Sequence, residues 1–310
     1  MSFHDDGAMP RIRMHDDEVF TDAGQVRRLI GAQFPQWSAL PIRPVRSHGT
    51  DNTIWRLGDA KAIRMPRRPG AVVLIEKERR WLSFLASHLP VSIPEPLAKG
   101  TAGEGYPWPW SVCPWLEGDN PDPECLEDAD ALARDLAQFI VALRAIDPRG
   151  GPLPGRRNFG RGMPLALRDE STREALAALD GGIDVAAAAA AWDADLHAPA
   201  WPGPPVWIHG DLNPGNLLVR QARLSGVIDF GSLAVGDPAC DLLAAWYVFP
   251  RDAREVFREA LGADDASWAR GRGWALSMAL IALSYYKDTN PVIVAAAKRT
   301  IAEVLVGQGA

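Results

Sequence analysis

The chain has 310 residues, 47% hydrophobic and 23% charged, the balance of a globular protein with a sizeable core. Its formal net charge of −6 argues against a protein that wraps nucleic acid by neutralising phosphates. Its three cysteines, Cys113, Cys125 and Cys240, have no close pairs, which speaks against a disulfide framework or a CxxC metal site and for reduced thiols.

In chain order, the polar start "MSFHDDGAMPRIRMHDD" has no apolar signal-peptide region, so a soluble cytoplasmic protein is expected, with residues 1–17 disordered. A helix is expected over 21–34, capped by Thr21 or Asp22, with Val26, Leu29, Ile30 and Phe34 on one face. The pieces "PIRPVRSH", "TIWRLG" and "KAIRMP" carry β-branched residues between turn signals and predict an antiparallel meander. "LIEKERRWLSFLASHL" reads as a helix, "PVSIPEPLAKG" as an extended connector, and "YPWPWSVCPWLEG" as holding a strand at 110–115, so the first part reads as helix, three strands, helix and two short strands.

Beyond Gly118 the character changes. "DADALARDLAQFIVALRAID" is amphipathic, with Leu132, Leu136, Phe139, Ile140, Leu143 and Ile146 sharing a face. A Gly-, Pro- and Arg-rich loop covers 148–164, and Ala-rich helices are expected at 169–180 and 184–197. The last helix starts with Asn290 as N-cap and Pro291 at its first position. The stretch "WALSMALIALSYY" is shorter than the about 20 residues that span a bilayer, so it predicts a buried helix and no membrane partner. The layout is a mixed α/β first part and a mostly helical second part, divided near 115–119, and ligands favour such boundaries.

The chemistry concentrates in "VWIHGDLNPGNLLV" and "LSGVIDFGSLAVGDPACDLL". Two apolar strands each deliver an acid, Asp211 beside the first and Asp229 at the end of the second. Pairing "NLLV" with "GVID" brings Asn216 towards Asp229. Side-chain oxygens without a Cys or His cluster suggest Mg²⁺ rather than Zn²⁺, because Mg²⁺ takes few protein ligands and leaves room for water and phosphate. His209 lies within an apolar strand and reads as a buried structural histidine rather than a ligand. A purely structural turn is the competing reading of the whole loop.

"HGDLNPGN" followed by "IDFG" resembles the catalytic and metal loops of protein kinases, H-R-D-x-x-x-x-N and D-F-G. It is closer still to the aminoglycoside phosphotransferase family of small-molecule kinases, where the loop reads H-G-D-x-x-x-x-N; "GDPACDLL" also resembles that family. "SHGTDNTIWRL" resembles its nucleotide loop, "KAIRM" stands where kinases have V-A-I-K, and "CPWLEG" falls where the hinge runs. The resemblance covers roughly residues 40 to 300, with the motifs in order.

The resemblance implies a bilobal α+β fold of the protein-kinase kind: a nucleotide-binding lobe over 1–116 with an antiparallel sheet, and a mostly helical catalytic and substrate lobe over 117–310. It implies Asp211 as the catalytic base, and Asn216 and Asp229 as ligands of Mg²⁺. Arg64 replaces the usual phosphate-binding lysine, with Lys61 as the alternative, and Glu78 is its partner, with Glu76 as the rival. Backbone amides around Ser47, Gly49 and Asn52 cover the phosphates. Pro114 and Leu116 meet the adenine, Leu116 as N–H donor. Trp115 belongs to the core or lines the adenine slot. Asp237 and Asp241 brace the catalytic loop. Gly210 and the short run from Gly231 to Gly236 leave no phosphate-operated activation loop.

The expected activity is phosphorylation of a small-molecule hydroxyl from ATP, with GTP left open, and with an aminoglycoside or other antibiotic as acceptor. A polycation would want acids such as Asp169, Glu170, Asp180, Asp184, Asp193 and Asp195 in the helical part. A choline-, homoserine- or sugar-type metabolite kinase and a non-catalytic nucleotide-binding module are the alternatives. The sequence leaves monomer and homodimer open.

Overall fold

A computed structural model describes residues 18–45, 51–179 and 181–306. The expectation of disorder for residues 1–17 and the nucleotide-loop positions Ser47 and Gly49 lie outside the described residues.

Helix α1, Ala23–Gln33, is capped by Asp22, whose side chain accepts from Gln25 N at 2.8 Å; Thr21 instead receives the indole N–H of Trp55 at 3.1 Å. Five strands follow: β1 (Ile42–Pro44), β2 (Asn52–Leu57), β3 (Lys61–Pro66), β4 (Ala98–Gly100) and β5 (Trp110–Pro114), with helix α2 (Pro69–Ala86) between β3 and β4. They form one antiparallel sheet in the order β1-β2-β3-β5-β4. α1 lays Val26, Leu29 and Ile30 against Trp55, Ile63 and Trp110 of this sheet. β4 arises inside the stretch read as a connector. Gly100 permits it, because a Cβ there would overlap the Trp110 ring at 1.9 Å. α2 begins five residues before the apolar run that announces it. Pro69 takes its first turn after an extended Arg68, a place where the missing N–H costs nothing.

The second part is mainly helical: α3 (Ala129–Ala145), α4 (Asp169–Ala177), α5 (Val185–Leu196), α6 (Ala244–Val248), α7 (Arg251–Leu261), α8 (Asp265–Tyr286) and α9 (Pro291–Leu305). Two hairpin-like pairs stand at its upper edge: β6 (Val206–Ile208) with β9 (Ala234–Gly236), and β7 (Leu217–Arg220) with β8 (Arg223–Val227). The apolar face of α3 is buried from Leu132 to Ile146 and packs under these strands. Leu82 and Leu85, at the end of α2, join this second core, so α2 ties the lobes together. α8 holds the apolar stretch "WALSMALIALSYY". Gly273 lets it approach Leu165 and Asp195, where a Cβ would stand 2.6 Å from Leu165 Cδ2. No helix among the described residues is long and apolar enough to cross a membrane. All three cysteines are free.

Candidate active site

β6 buries Trp207 and Ile208 completely and carries the chain into His209. The buried His209 ring accepts the Asp211 N–H on Nδ1 (3.2 Å) and faces the Ile228 carbonyl with Nε2 (3.1 Å), which fits the neutral tautomer. Burial pushes its pKa down, against the pull of Asp241 and Asp211. His209 thus links the two chemical strands from inside the core and offers no lone pair to a metal.

Gly210 has φ +82, and a Cβ there would stand 2.9 Å from the Ser232 carbonyl and 3.1 Å from Arg161 Cβ. Both neighbouring amides end on one buried carboxylate: His209 N donates to Asp241 Oδ2 at 2.9 Å, and Gly210 N to Oδ1 at 2.7 Å. Asp237 caps the turn that carries Asp241 and is clamped by Arg270 at 2.9 Å. Asp241→Asn keeps the shape but sets an NH₂ group against one of the two amide donors. The expected result is a loss of about 1–3 kcal/mol in a thermal melt and a lowered kcat. Unchanged melting would show that these bonds are dispensable.

The residues that look structure-breaking make the loop rigid. Asn213 Oδ1 receives Gly215 N at 2.9 Å and caps a single 3-10 turn, Pro214–Asn216. Asn216 Nδ2 donates to the Asp211 carbonyl (2.8 Å) and to its carboxylate (3.1 Å). Asn216 Oδ1 accepts nothing among the described residues. Ile228 N donates to Asn216 O at 2.9 Å, and Leu217 pairs with Val227, so the hairpin brings Asp229 beside Asn216. Asp229 takes a left-handed φ of 61 and stays partly open to solvent. Burial raises its carboxyl, Arg64 draws it back, and Asp211 and Asp51 push it up again.

These donors fit Mg²⁺: one free amide oxygen and one accessible carboxylate, with coordination places left for water and phosphate. No group of three His, Cys, Asp or Glu side chains that would suit a softer metal occurs among the described residues.

Arg64, on β3, donates to Glu78 Oε2 at 2.7 Å and reaches Asp229 Oδ1 at 3.5 Å. Lys61 turns away and lies over Trp37. Glu76, the rival of Glu78, bonds Arg79 and Lys99 on the surface. Asn52 opens β2 with its Oδ1 buried and without a hydrogen-bond partner among the described residues. At the hinge Trp115 N donates to Ala60 O at 2.9 Å, while the Leu116 N–H has no partner among the described residues. The Trp115 ring lies under the Arg56 guanidinium, 4.2 Å away, facing a cleft of about 680 Å³ behind the hinge that is separate from Asp211.

Lys77 follows the same helix and donates to Leu233 O at 3.0 Å, tying α2 to the segment after Asp229. Burial holds its ammonium down at about 8 against an ordinary 10.5, though Glu78 and Asp229 pull upward. Below about 8 both folded and unfolded chains carry this proton, and the folded state bears the full desolvation cost. Between about 8 and 10.5 the cost is relieved, so this residue makes stability rise with pH. Lys77→Met is expected to flatten that rise in melting temperatures measured across the window. An equal slope in both proteins would show a solvated ammonium.

Two residues escape sequence reading. Asn120, just past the hinge, donates to the carbonyls of Gly215 (3.0 Å) and Leu217 (2.8 Å) and pins the catalytic loop. Arg161, from the 148–164 loop, donates through Nη1 to Gly210 O (2.6 Å) and to Asp211 Oδ1 (3.1 Å). Its loop is anchored by Asn158, which bonds Arg161 O and Ser232 O.

A five-stranded antiparallel lobe over a helical lobe, with Asp211, Asn216, Asp229 and the Arg64–Glu78 pair at their junction, defines a protein-kinase-like phosphotransferase. More narrowly, the chain belongs to the phosphotransferase enzyme family, whose model matches residues 42–274. It is similar to the uncharacterized protein YcbJ of Bacillus subtilis (strain 168), 27% identical over 236 residues, covering 69% of each chain. The fold is similar to that of APH(2")-IIia in its GDP and kanamycin complex, with TM-score 0.71 and 20% identity over 91% of this chain and 99% of the other. It is also similar to that of the macrolide 2'-phosphotransferase MphH of Brachybacterium faecium, with TM-score 0.59 and 23% identity over 84% and 92%.

Proposed function

We propose that the protein transfers the terminal phosphoryl group of ATP, with Mg²⁺, to a hydroxyl of a small molecule. The observation that carries this is the loop that presents Asp211 and Asn216 together, 3.1 Å apart, with Asp229 delivered beside them by the paired strand. Asp211 accepts the hydrogen bond of the acceptor hydroxyl and takes its proton as transfer proceeds. The free oxygen of Asn216 and the carboxylate of Asp229 hold the cation. Mg²⁺ there neutralises charge on the phosphate oxygens. Arg64 supplies a fixed positive charge for the phosphates, and Glu78 holds it in place. The Leu116 N–H and the Pro114 carbonyl serve the adenine, and backbone amides of the loop around Ser47, Gly49 and Asn52 cover the phosphates. The division of labour follows the lobes, nucleotide in 1–116 and acceptor in 117–310.

The similar structures are named for a kanamycin complex and a macrolide phosphotransferase, which favours an antibiotic acceptor, an aminoglycoside or a macrolide, and with it a resistance role. The proposal includes a cytoplasmic enzyme, monomeric or homodimeric, without nucleic-acid or membrane partners. A metabolite-kinase reading is favoured by one observation, the arginine seated on the catalytic carboxylate. The test pairs a thermal shift by Mg-ATP or Mg-GTP with nucleotide consumption over hydroxylated antibiotics and metabolites. Consumption that depends on an acceptor supports the reading. A shift without consumption across the panel makes the protein a nucleotide-binding module. No shift at all removes the nucleotide site.

A further inference from the structure

The acceptor side of Asp211 carries a charge opposite to what a polycation needs. Arg161 is only 14% exposed at its side chain, and its one ion pair among the described residues is with Asp211. That pair uses Nη1 alone; Nε and Nη2 have no protein partner among the described residues. Behind it, Arg168 donates to Ser277 Oγ at 2.9 Å, lies over Trp274 and has no carboxylate partner among the described residues. Burial and the nearby Arg161 hold the Arg168 guanidinium down at about 10. Tyr247 lies within electrostatic reach of Asp211 and of Arg161, Arg168 and Arg299; burial pushes its hydroxyl up. Arg299 has Glu303 and Glu124 within the same reach and Arg161 is paired with Asp211, so the cation without a carboxylate partner among the described residues is Arg168.

Four of the six acids of the helical part that could receive ammonium groups are engaged elsewhere. Asp169 bonds Trp192 and Arg173, Asp193 bonds Arg173, Asp195 is buried against Arg272, and Asp184 caps α5. Glu170 is exposed, and Asp180 lies outside the described residues.

From this geometry we infer that the acceptor is a hydroxy compound bearing a carboxylate or phosphate close to the reacting hydroxyl, and that Arg161 binds that anion through its free N–H groups while holding Asp211. Arg161 is then a specificity residue as well as a brace. A guanidinium offers parallel donors that match a carboxylate or phosphate edge. An ammonium on the acceptor at the same place would face a like charge beside the base. The inference rests on the small-molecule kinase reading and narrows its acceptor.

The test uses the full chain saturated with Mg-ADP. Gluconate, glycerol 1-phosphate, the uncharged amide of gluconic acid, and kanamycin are titrated calorimetrically into wild type, Arg161→Met and Arg161→Gln. At least one anion should bind wild type with Kd below about 1 mM and more tightly than kanamycin. Both substitutions should weaken that binding by about 10- to 100-fold and leave the amide unaffected. Which anion binds separates a carboxylate acceptor from a phosphate acceptor. Tighter binding of kanamycin than of either anion, no anion binding, or anion affinity unmoved in a folded variant each overturns the inference. The wild-type ranking decides even where neither variant folds. A protein that takes no Mg-ADP overturns the kinase reading and this inference with it; one that takes Mg-ADP but no anion overturns this inference alone.

Discussion

Asp211→Asn is expected to lower kcat by about 10³-fold while leaving the thermal shift with Mg-ATP in place. The substitution keeps the side chain's shape and removes its capacity to take a proton. The surroundings of Asp211 make the effect specific. Its carboxylate receives Asn216 Nδ2 at 3.1 Å on one oxygen and Arg161 Nη1 at 3.1 Å on the other, and its carbonyl holds Asn216 again at 2.8 Å. The carbonyl bond survives in the variant, so the proposed metal ligand Asn216 stays near its place and nucleotide affinity is retained. The asparagine NH₂ must face one of the two donors, which adds a smaller stability cost of about 1–3 kcal/mol. Steady-state transfer measured alongside the melting shift separates the two effects. Transfer at the wild-type rate would remove Asp211 from the chemistry. A shift lost together with the rate would mean that the loop had collapsed and that the experiment reported folding.

The geometry of the candidate catalytic loop was legible because it lies within one short segment: His209, Gly210, Asp211 and Asn216 are set by local turn rules, and the paired strand delivers Asp229. Pro214 and Asn213, which read as breakers, are what closes the turn. The sheet lobe was legible from strand propensity and turns as three strands, a helix and two short strands, but the position of β4 was not. Three residues without alternation, "AKG", become a strand only because β5 offers an edge. The partner of Arg64 was half legible. Glu76 and Glu78 sit two residues apart, about 200° around a helix, so only the tertiary position of β3 selects the buried one. Arg161 was not legible at all. It lies 50 residues from Asp211 in a loop without periodicity, and nothing local tells a brace from a solvated arginine. The same limit applied to the acids of α4 and α5. Their number was visible, but their prior engagement by Arg173 and Arg272 appears only when the helices are packed.

The Arg64–Glu78 pair carries the second large effect. Arg64 is 8% exposed and Glu78 3%, so removing the carboxylate leaves a guanidinium in the core that water does not reach. Breaking a buried pair from one side costs about 3–5 kcal/mol, more than the pair itself contributes against an apolar replacement. Asp229 at 3.5 Å supplies partial compensation, which places Glu78→Ala near the lower end, about 3 kcal/mol. At roughly 2–4 °C per kcal/mol for a chain of this size, the melting temperature should fall by about 10 °C. Arg64 then has one anionic partner left, the proposed metal ligand. Drawing Arg64 onto Asp229 sets the guanidinium in competition with Mg²⁺, so the KM for Mg-ATP should rise as well. Glu76→Ala is the matched control on the same helix. Its carboxylate is 44% exposed and, among the described residues, pairs with Arg79 and Lys99, so its stability should change by less than about 0.5 kcal/mol. Differential scanning calorimetry and the Mg²⁺ dependence of KM, run on both variants, read the two consequences separately. Equal melting temperatures for Glu78→Ala and Glu76→Ala would show that the buried pair bears no such load. A lowered melting temperature with an unchanged KM would confine Glu78 to the fold and leave the phosphates to Arg64 alone.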